Sequence, residues 1–349
     1  MMAELWFAIA SLMLVAYVVL DGFDFGAGAL HLVVARTDAE RRQLLSAIGP
    51  FWDGNEVWLL ATGGVLFLAF PRVLASGLSG FYLAIFLVLW ALILRGIAIE
   101  FRSHVENPLW RAAWDAVFSV ASTILPILFG TALGNLVRGL PITEDGWFSL
   151  TLFTNFSPWG PVAILDWYTV SAGLFALLAL TGHGAAFLVW KTDGPMRERS
   201  RTAAMRLYML VATAWPLLTA ATWWVNPRLF AAFQQRPLAM MSALVALAGL
   251  AALAAGLRRQ RDGLAFLGSC AFLIGMLAAT AACVFPTMLR SVVNEGWSLT
   301  AYNASAPAAS LDRGIRWWAI GLPLAVIYFV IVFRLHRGRT SIGSGDGTY

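Results

Sequence analysis

Charged residues and cysteines are scarce in this chain. Only 12% of its 349 residues are charged and only two are cysteines, whereas soluble domains carry about 25% charged residues. The two cysteines, Cys270 and Cys283, fall on one predicted helix about 220° apart, so we expect no disulfide between them. Hydrophobic residues make up 60% of the chain. This composition excludes an ordinary soluble domain and indicates a polytopic membrane protein.

Residues that could ligate a cofactor are also few. The four histidines are His31, His104, His183 and His336. Several axial ligands would be needed for two haems, and clustered His or Cys for a metal site. We interpret His183 as a packed or hydrogen-bonded helix residue. The sequence has no Walker motif and no complete dinucleotide fingerprint. We therefore expect any redox chemistry to take place in another chain.

Apolar runs long enough to cross a hydrocarbon core of about 30 Å recur along the whole sequence. The first run lacks a basic region before it and a cleavage site after it, so we expect it to remain as a membrane helix. The nine predicted membrane helices cover approximately residues 5–33, 50–71, 76–100, 114–137, 162–190, 205–226, 238–257, 263–288 and 315–335.

The distribution of basic residues predicts the orientation. Most of the 24 lysines and arginines follow the first, third, fifth and seventh helices or lie in the tail. The positive-inside rule then places the N-terminus outside and the C-terminus in the cytoplasm. The net charge of +5 is thus explained by topology and does not indicate nucleic-acid binding. The predicted divisions are a first helical half over 1–190, a basic cytoplasmic loop over 191–206, a second helical bundle over 207–337 and a flexible cytoplasmic tail over 338–349.

Acidic residues interrupt the first two apolar segments. An ionisable group inside a membrane costs roughly 2.5–3.5 kcal/mol on insertion scales, so such residues usually face an interior path and mark function. Spacings of three residues place each acidic pair on one helix face. The predicted topology directs all of these groups toward one cytoplasmic region. They are Asp21 and Asp24 on the first helix, Asp53 and Glu56 on the second, and Arg95, Glu100 and Arg102 on the third.

Structural roles for the same residues remain open alternatives. Asp53 could cap a helix, and Asp21 could pair with Arg95. The neighbouring glycines Gly22 and Gly26 could simply let helices approach closely. The functional interpretation is a proton relay, because burial raises the pKa of a carboxyl group toward the working pH.

Three motifs together carry a family resemblance. They are Asp21-Gly-Phe-Asp-Phe-Gly, Gly49-Pro-Phe-Trp-Asp-Gly-Asn-Glu-Val-Trp and Arg95-Gly-Ile-Ala-Ile-Glu-Phe-Arg, followed later by Leu-Thr-Ala-Tyr-Asn-Ala-Ser. With their spacing, the chain length and the nine helices, the sequence resembles subunit II of the cytochrome bd-type quinol oxidases. The resemblance covers essentially the whole chain and is most specific over residues 17–102.

The resemblance implies an all-α membrane subunit of two four-helix bundles and one extra helix in the bacterial cytoplasmic (inner) membrane. It implies an obligate partner, subunit I, which carries two b-type haems, one d-type haem and the quinol site. Subunit II itself would bind no haem. Small single-helix accessory subunits and a structural quinone are further expectations. The complex would oxidise quinol and reduce dioxygen to water. No nucleic acid is expected as a partner.

The resemblance also assigns roles to residues. In the family the aspartate that matches Asp53 belongs to a proton path toward the haems of subunit I. We expect Asp53, Asp21, Asp24, Glu56 and Glu100 to form a hydrated path for protons. Apolar helix faces could in addition conduct dioxygen. The expected structural partners of this path are Trp52, Asn55, Arg95 and Arg102.

Two other functions are compatible with buried acids. A proton-coupled secondary transporter would use them to couple substrate to protons, although no inverted repeat or pair of broken helices is visible. A purely structural membrane subunit would use them only to stabilise the assembly. Uptake by the chain alone would favour the first alternative, and full turnover without the Asp53 carboxylate would favour the second.

Overall fold

A computed structural model describes residues 1–342 of the chain. These residues form twelve α-helices, one short 3-10 helix at Glu295–Trp297 and one two-stranded antiparallel sheet. The helices are α1 Met2–Val34, α2 Asp38–Ile48, α3 Trp52–Ala69, α4 Pro71–Gly80, α5 Tyr82–Phe101, α6 Pro108–Arg138, α7 Trp167–Lys191, α8 Gly194–Val225, α9 Arg228–Gln235, α10 Pro237–Arg258, α11 Asp262–Val284 and α12 Ala308–Leu335, and the strands are β1 Thr287–Leu289 and β2 Leu299–Thr300.

Eight helices in the described part of the chain are long and apolar enough to cross a membrane: α1, α5, α6, α7, α8, α10, α11 and α12. The sequence predicted nine. The difference is the predicted helix over 50–71, which folds as α3 with 18 residues. Asp53, Asn55 and Glu56 in its first turns lower the apolar character of so short a helix. The fold is therefore all-α and spans the membrane several times.

The first helix lies at the centre of the bundle and contacts α3, α6, α7 and α11. Its closest approach is to α7, where Gly26 faces Gly184. A Cβ atom added at Gly26 would lie 2.1 Å from the Leu180 carbonyl oxygen, and one at Gly184 would lie 2.3 Å from the Ala27 nitrogen. Only glycine fits at both positions. This close packing fixes the depth at which α1 presents its polar residues.

The connections between helices gather at two ends of the bundle. The basic end comprises residues 35–49, 102–107, 192–193, 259–261 and 336–342. Here α2 begins with a capping box. The Thr37 hydroxyl accepts a hydrogen bond from the Glu40 backbone N–H, and the Glu40 carboxylate accepts one from the Thr37 backbone N–H. The opposite end comprises residues 139–166 and 285–307 and contains the sheet.

The structure also locates the predicted loop and tail. Most of the predicted loop over 191–206 is helical, because α8 already begins at Gly194. Within the predicted tail, Thr340 donates from its backbone N–H to the Lys191 carbonyl at 2.8 Å, and Arg339 contacts Asp262 at 2.7 Å. The rest of that tail, residues 343–349, lies outside the described residues.

Candidate functional site

Two carboxylates contact one guanidinium inside the bundle, and a third lies one helical turn away. Asp21 on α1 and Arg95 on α5 are both fully buried. Arg95 Nη1 donates to Asp21 Oδ1 at 2.6 Å, and its Nη2 donates to Glu56 on α3. The guanidinium carbon also lies 4.6 Å from the centre of the Phe25 ring. Arg95 therefore joins three helices through two carboxylates.

The third carboxylate belongs to Asp24, one turn further along α1. It is fully buried, and its Oδ2 accepts a hydrogen bond of 2.7 Å from Asn55 Nδ2. The same amide donates to the Leu20 carbonyl at 3.1 Å. Asn55 thus fixes α3 against α1. We call Asp21, Asp24, Asn55, Glu56 and Arg95 the acidic cluster. It holds three carboxylates and one guanidinium, so it contains more acidic than basic groups.

Two of the predicted path residues lie outside this cluster. Asp53 and Glu100 are exposed, and none of the described residues forms a hydrogen bond or ion pair with either carboxylate. Asp53 occupies a stripe of α3 with Val57, Leu60 and Phe67, which are also exposed. Their successive spacings are four, three and seven residues, so the four side chains share one helix face. The structure places Asp53 on an outward surface of this chain.

Trp52 lies between α3 and α5. Its ring packs against Gly96, where an added Cβ would lie 3.2 Å from a ring carbon. Because Gly96 follows Arg95 directly, this contact holds the α5 segment that carries the guanidinium. The structure thus gives Trp52 a packing role beside the acidic cluster.

Arg102 belongs to a second ionic network, at the basic end. Its Nε donates to Asp115 Oδ1 at 2.6 Å and its Nη2 to Asp38 Oδ1 at 2.7 Å. Asp115 also contacts His31 Nε2 at 2.6 Å and Arg41 Nη1 at 2.9 Å. This network joins α1, α2 and α6 to the end of α5. It is separate from the acidic cluster.

Sequence reasoning did not single out Asp115, Asp38 or Arg41. The available signal was an acid at the start of an apolar segment, which resembles an ordinary helix cap. Outside the membrane-spanning helices, the network also affects titration. Partial burial alone would raise the pKa of Asp38, but the Arg102 hydrogen bond and the charges of Arg111 and Arg42 outweigh burial and lower it.

His183 is a buried, hydrogen-bonded residue of the core. Its Nδ1 contacts Ser269 Oγ at 2.7 Å and its Nε2 contacts the Val19 carbonyl at 2.9 Å. The ring stacks on Phe266 with centroids 5.3 Å apart. Both ring nitrogens are therefore engaged. Within residues 1–342, no group of three or more His, Cys, Asp or Glu side chains is arranged to hold a metal ion.

An apolar cavity of about 420 Å³ lies toward the opposite end, between α6, α7, α8, α9 and α11. Phe129, Phe175 and Leu273 are among its lining residues. Tyr168 and Thr222 also line it, and their hydroxyls are hydrogen-bonded to each other at 3.0 Å. The cavity can hold an apolar molecule but offers few polar groups to orient one.

Comparison with known proteins decides the family. A family model described as "Cytochrome bd terminal oxidase subunit II" matches residues 2–336. The chain belongs to this family. The resemblance inferred from the motifs is thereby confirmed, and the chain is a subunit of a terminal oxidase in the bacterial inner membrane.

Individual members of the bd oxidase family agree with this assignment. The chain is 32% identical to the cytochrome bd ubiquinol oxidase subunit 2 of Bacillus subtilis, over 88% of each chain. It is 28% identical to a probable cytochrome oxidase subunit 2 of Haemophilus influenzae, over 96% of this chain and 94% of the relative. A solved structure of bd oxidase from Geobacillus thermodenitrificans matches with a TM-score of 0.77 and 18% identity, over 96% of this chain and 98% of the other. That similarity shows a shared fold.

Proposed function

We propose that this subunit binds no haem itself and conducts protons to a haem-bearing partner, subunit I, which reduces dioxygen to water. The observation that carries the proposal is the buried acidic cluster, with Asp21 and Asp24 fully buried on the central helix. Carboxylates at such depth are costly, and they commonly mark proton relays in membrane proteins. The cluster contains more carboxylates than Arg95 can neutralise, so it can accept protons.

The proposal includes an orientation. Basic residues are concentrated at the basic end, so we place that end in the cytoplasm and the N-terminus outside. We further propose that α3 is the ninth membrane helix and that the helices form two four-helix bundles with one extra helix. Asp53 and Glu56 then lie near the cytoplasmic surface, where protons are available.

The proposed path begins at Asp53. Its carboxylate is exposed on an apolar face of α3. Helix α12 lies beside α3 and is exposed along most of its length, with buried residues only at Leu311 and Gly314 among the described ones. We infer that subunit I covers this face. Asp53 would then lie at the junction of the subunits, with Glu56 and the rest of the acidic cluster on the inner side of α3. Glu100, exposed at the end of α5, would be a second proton-collecting group.

The histidines support the assignment of all haems, two b-type and one d-type, to subunit I. The buried rings of His31 and His183 already use ring nitrogens in hydrogen bonds with Asp115, Ser269 and the Val19 carbonyl. An axial ligand needs a free ring nitrogen and an open face. His183 has no free ring nitrogen, and His31 is held by Asp115 within the buried ionic network at the basic end.

The apolar cavity supports a second role, the conduction of dioxygen. Dioxygen is a small apolar molecule, so an apolar cavity can hold it. The chain of a structural quinone would also suit this lining. Small accessory subunits are part of the expected complex but have no assigned surface on this chain.

The proton-path proposal is tested by replacing Asp53 in the purified two-subunit complex. Asp53→Asn keeps the size of the side chain and removes its proton affinity. We expect quinol oxidase turnover to fall by about tenfold or more, because a positioned proton-transfer group typically contributes 10²–10⁴-fold. Asp312→Asn is the matched control, since Asp312 is an exposed acid that pairs with Arg316 on α12.

A purely structural role is the competing function, because Arg95 and Asn55 pair with every carboxylate of the acidic cluster. Full turnover of an assembled Asp53→Asn complex would support that role and contradict proton conduction through Asp53. Transport of a substrate by the isolated chain would contradict the oxidase role altogether.

A further inference from the structure

Tyr17 extends the polar face of α1 beyond the acidic cluster. It precedes Asp21 by four residues and Asp24 by seven, so the three side chains lie on one face of the helix. Its side chain is only 1% exposed. The ring packs edge-on against Phe25 and Phe129, with centroids 6.2 and 5.6 Å apart. A phenylalanine would satisfy this apolar packing equally well, so packing alone does not explain the hydroxyl.

The hydroxyl lies close enough to the Asp21 carboxylate to interact with it, but the two groups do not form a hydrogen bond of ordinary geometry. Four other buried polar atoms of the acidic cluster also have no hydrogen-bond partner among residues 1–342. Leaving a buried polar group unsatisfied costs about 1–3 kcal/mol. Native proteins avoid this cost with internal water that makes two to four hydrogen bonds. The five atoms are Tyr17 Oη, Asp21 Oδ2, Asp24 Oδ1, Asn55 Oδ1 and Arg95 Nε.

We propose that these five atoms enclose internal water that links Asp21 to Asp24, and that Tyr17 is the positioning residue that holds this water. Four oxygens and one N–H provide both acceptors and donors, as a water molecule requires. A bound metal cation is disfavoured because Arg95 supplies a positive charge at the centre. Tyr17 closes the hydrated site on the side that faces away from the basic end.

The water gives the two aspartates a route for proton exchange. A protonated Asp24 donates its proton to the water, and the water donates a different proton to the Asp21 carboxylate. Asp24 loses one proton, Asp21 gains one, and the water is unchanged. The Tyr17 hydroxyl keeps the water oriented for this transfer and remains neutral throughout. The role in turnover rests on the proposed proton path, whereas the water site itself does not.

The water site is tested first in the unmodified two-subunit complex. A high-resolution cryo-EM map is expected to show ordered density within hydrogen-bond distance of Tyr17 Oη and Asp21 Oδ2. This measurement needs no variant and no activity. A map that resolves waters elsewhere in the bundle but shows this space dry would overturn the inference.

The positioning role is tested with Tyr17→Phe, which removes one oxygen atom and keeps the ring. We expect infrared difference spectra to show a shifted carboxyl C=O band, and turnover to fall by about tenfold because a hydrogen bond near charged groups is lost. Tyr208→Phe is the matched control, because Tyr208 is a buried tyrosine on α8 whose ring packs against Gly182 on α7.

The outcomes separate the two proposals. Tyr17→Phe spectra that match those of Tyr208→Phe would overturn the positioning role. Ordered water and a shifted band, combined with full turnover of Asp53→Asn, would leave the water site in place and refute proton delivery through Asp53. A map without ordered water at this site, combined with impaired turnover of Asp53→Asn, would refute the water site and leave proton delivery through Asp53 in place.

Discussion

Arg95 is the residue whose removal should damage the buried site most. Its guanidinium donates to Asp21 and Glu56 through different nitrogens and lies over the Phe25 ring. In Arg95→Met the apolar bulk remains, but Asp21 loses its only cationic partner among the described residues. Asp21 is fully buried, so solvent cannot replace that partner.

The expected magnitude follows from the burial. Breaking a buried ion pair by removing one partner costs about 3–5 kcal/mol, because an uncompensated charge is left behind. The stability of Arg95→Lys should lie between that of the unmodified complex and that of Arg95→Met, since a single ammonium cannot contact both carboxylates with the geometry of the guanidinium. Replacing both contacted acids as well, in Arg95→Met with Asp21→Asn and Glu56→Gln, should recover much of the loss, because the two carboxylates that Arg95 contacts then carry no charge.

The assay is the free energy of unfolding, or the thermal midpoint, of the purified two-subunit complex. Arg316→Met is the matched control, because the Arg316–Asp312 pair is exposed and such pairs contribute about 0–1 kcal/mol. An Arg95→Met complex no less stable than Arg316→Met, or a triple substitution less stable than Arg95→Met alone, would contradict this prediction.

Two further predictions concern the basic end and the cavity. Partial burial alone would raise the pKa of Glu40, but the Arg199 guanidinium and the N–H groups of Arg36 and Thr37 outweigh it and hold the pKa below its ordinary 4.5. The stability that this carboxylate contributes is therefore present above about pH 4.5 and is lost as the pH falls through the lowered pKa. When the thermal midpoint is measured against pH, its fall on the acid side should be shallower in Glu40→Gln than in the unmodified complex. Identical acid-side slopes would contradict the prediction. Ala279→Phe narrows the apolar cavity, which Ala279 lines, so the KM for dioxygen should rise with little change in kcat. Exposed Ala251 supplies the control Ala251→Phe, and equal KM values for both variants would argue against dioxygen conduction through this cavity.

The sequence predicted the composition of the acidic cluster better than its arrangement. Spacings of three residues and motifs on three consecutive helices indicated that these acids and Arg95 point toward one region. In the structure Arg95 contacts Asp21 and Glu56, and Asn55 contacts Asp24. Pairing of Asp21 with Arg95 was an open alternative from the sequence, and the pair is present. The role of Asn55 as a bridge from α3 to Asp24 depends on helix rotation, which residue spacing does not determine.

The exposure of Asp53 could not be predicted from the sequence. Its face of α3 is set by Asn55, which donates to the Leu20 carbonyl and to Asp24 on α1 and so turns Asp53 outward. The network around Asp115 was missed for a related reason. Its partners His31 and Arg41 are separated from it by 84 and 74 residues, and only tertiary packing brings them together. The extent of α8 was underestimated because its first turns are basic and lack an apolar pattern.

Proton uptake during a single turnover tests the central claim most directly. The fully reduced two-subunit complex would be mixed with dioxygen in the presence of a pH-indicator dye, and the rate of proton uptake would be compared with the rate of haem oxidation. If protons reach subunit I through Asp53 and the acidic cluster, Asp53→Asn should slow proton uptake by about tenfold or more, while Asp312→Asn should match the unmodified complex. Proton uptake at the unmodified rate in Asp53→Asn would contradict the account.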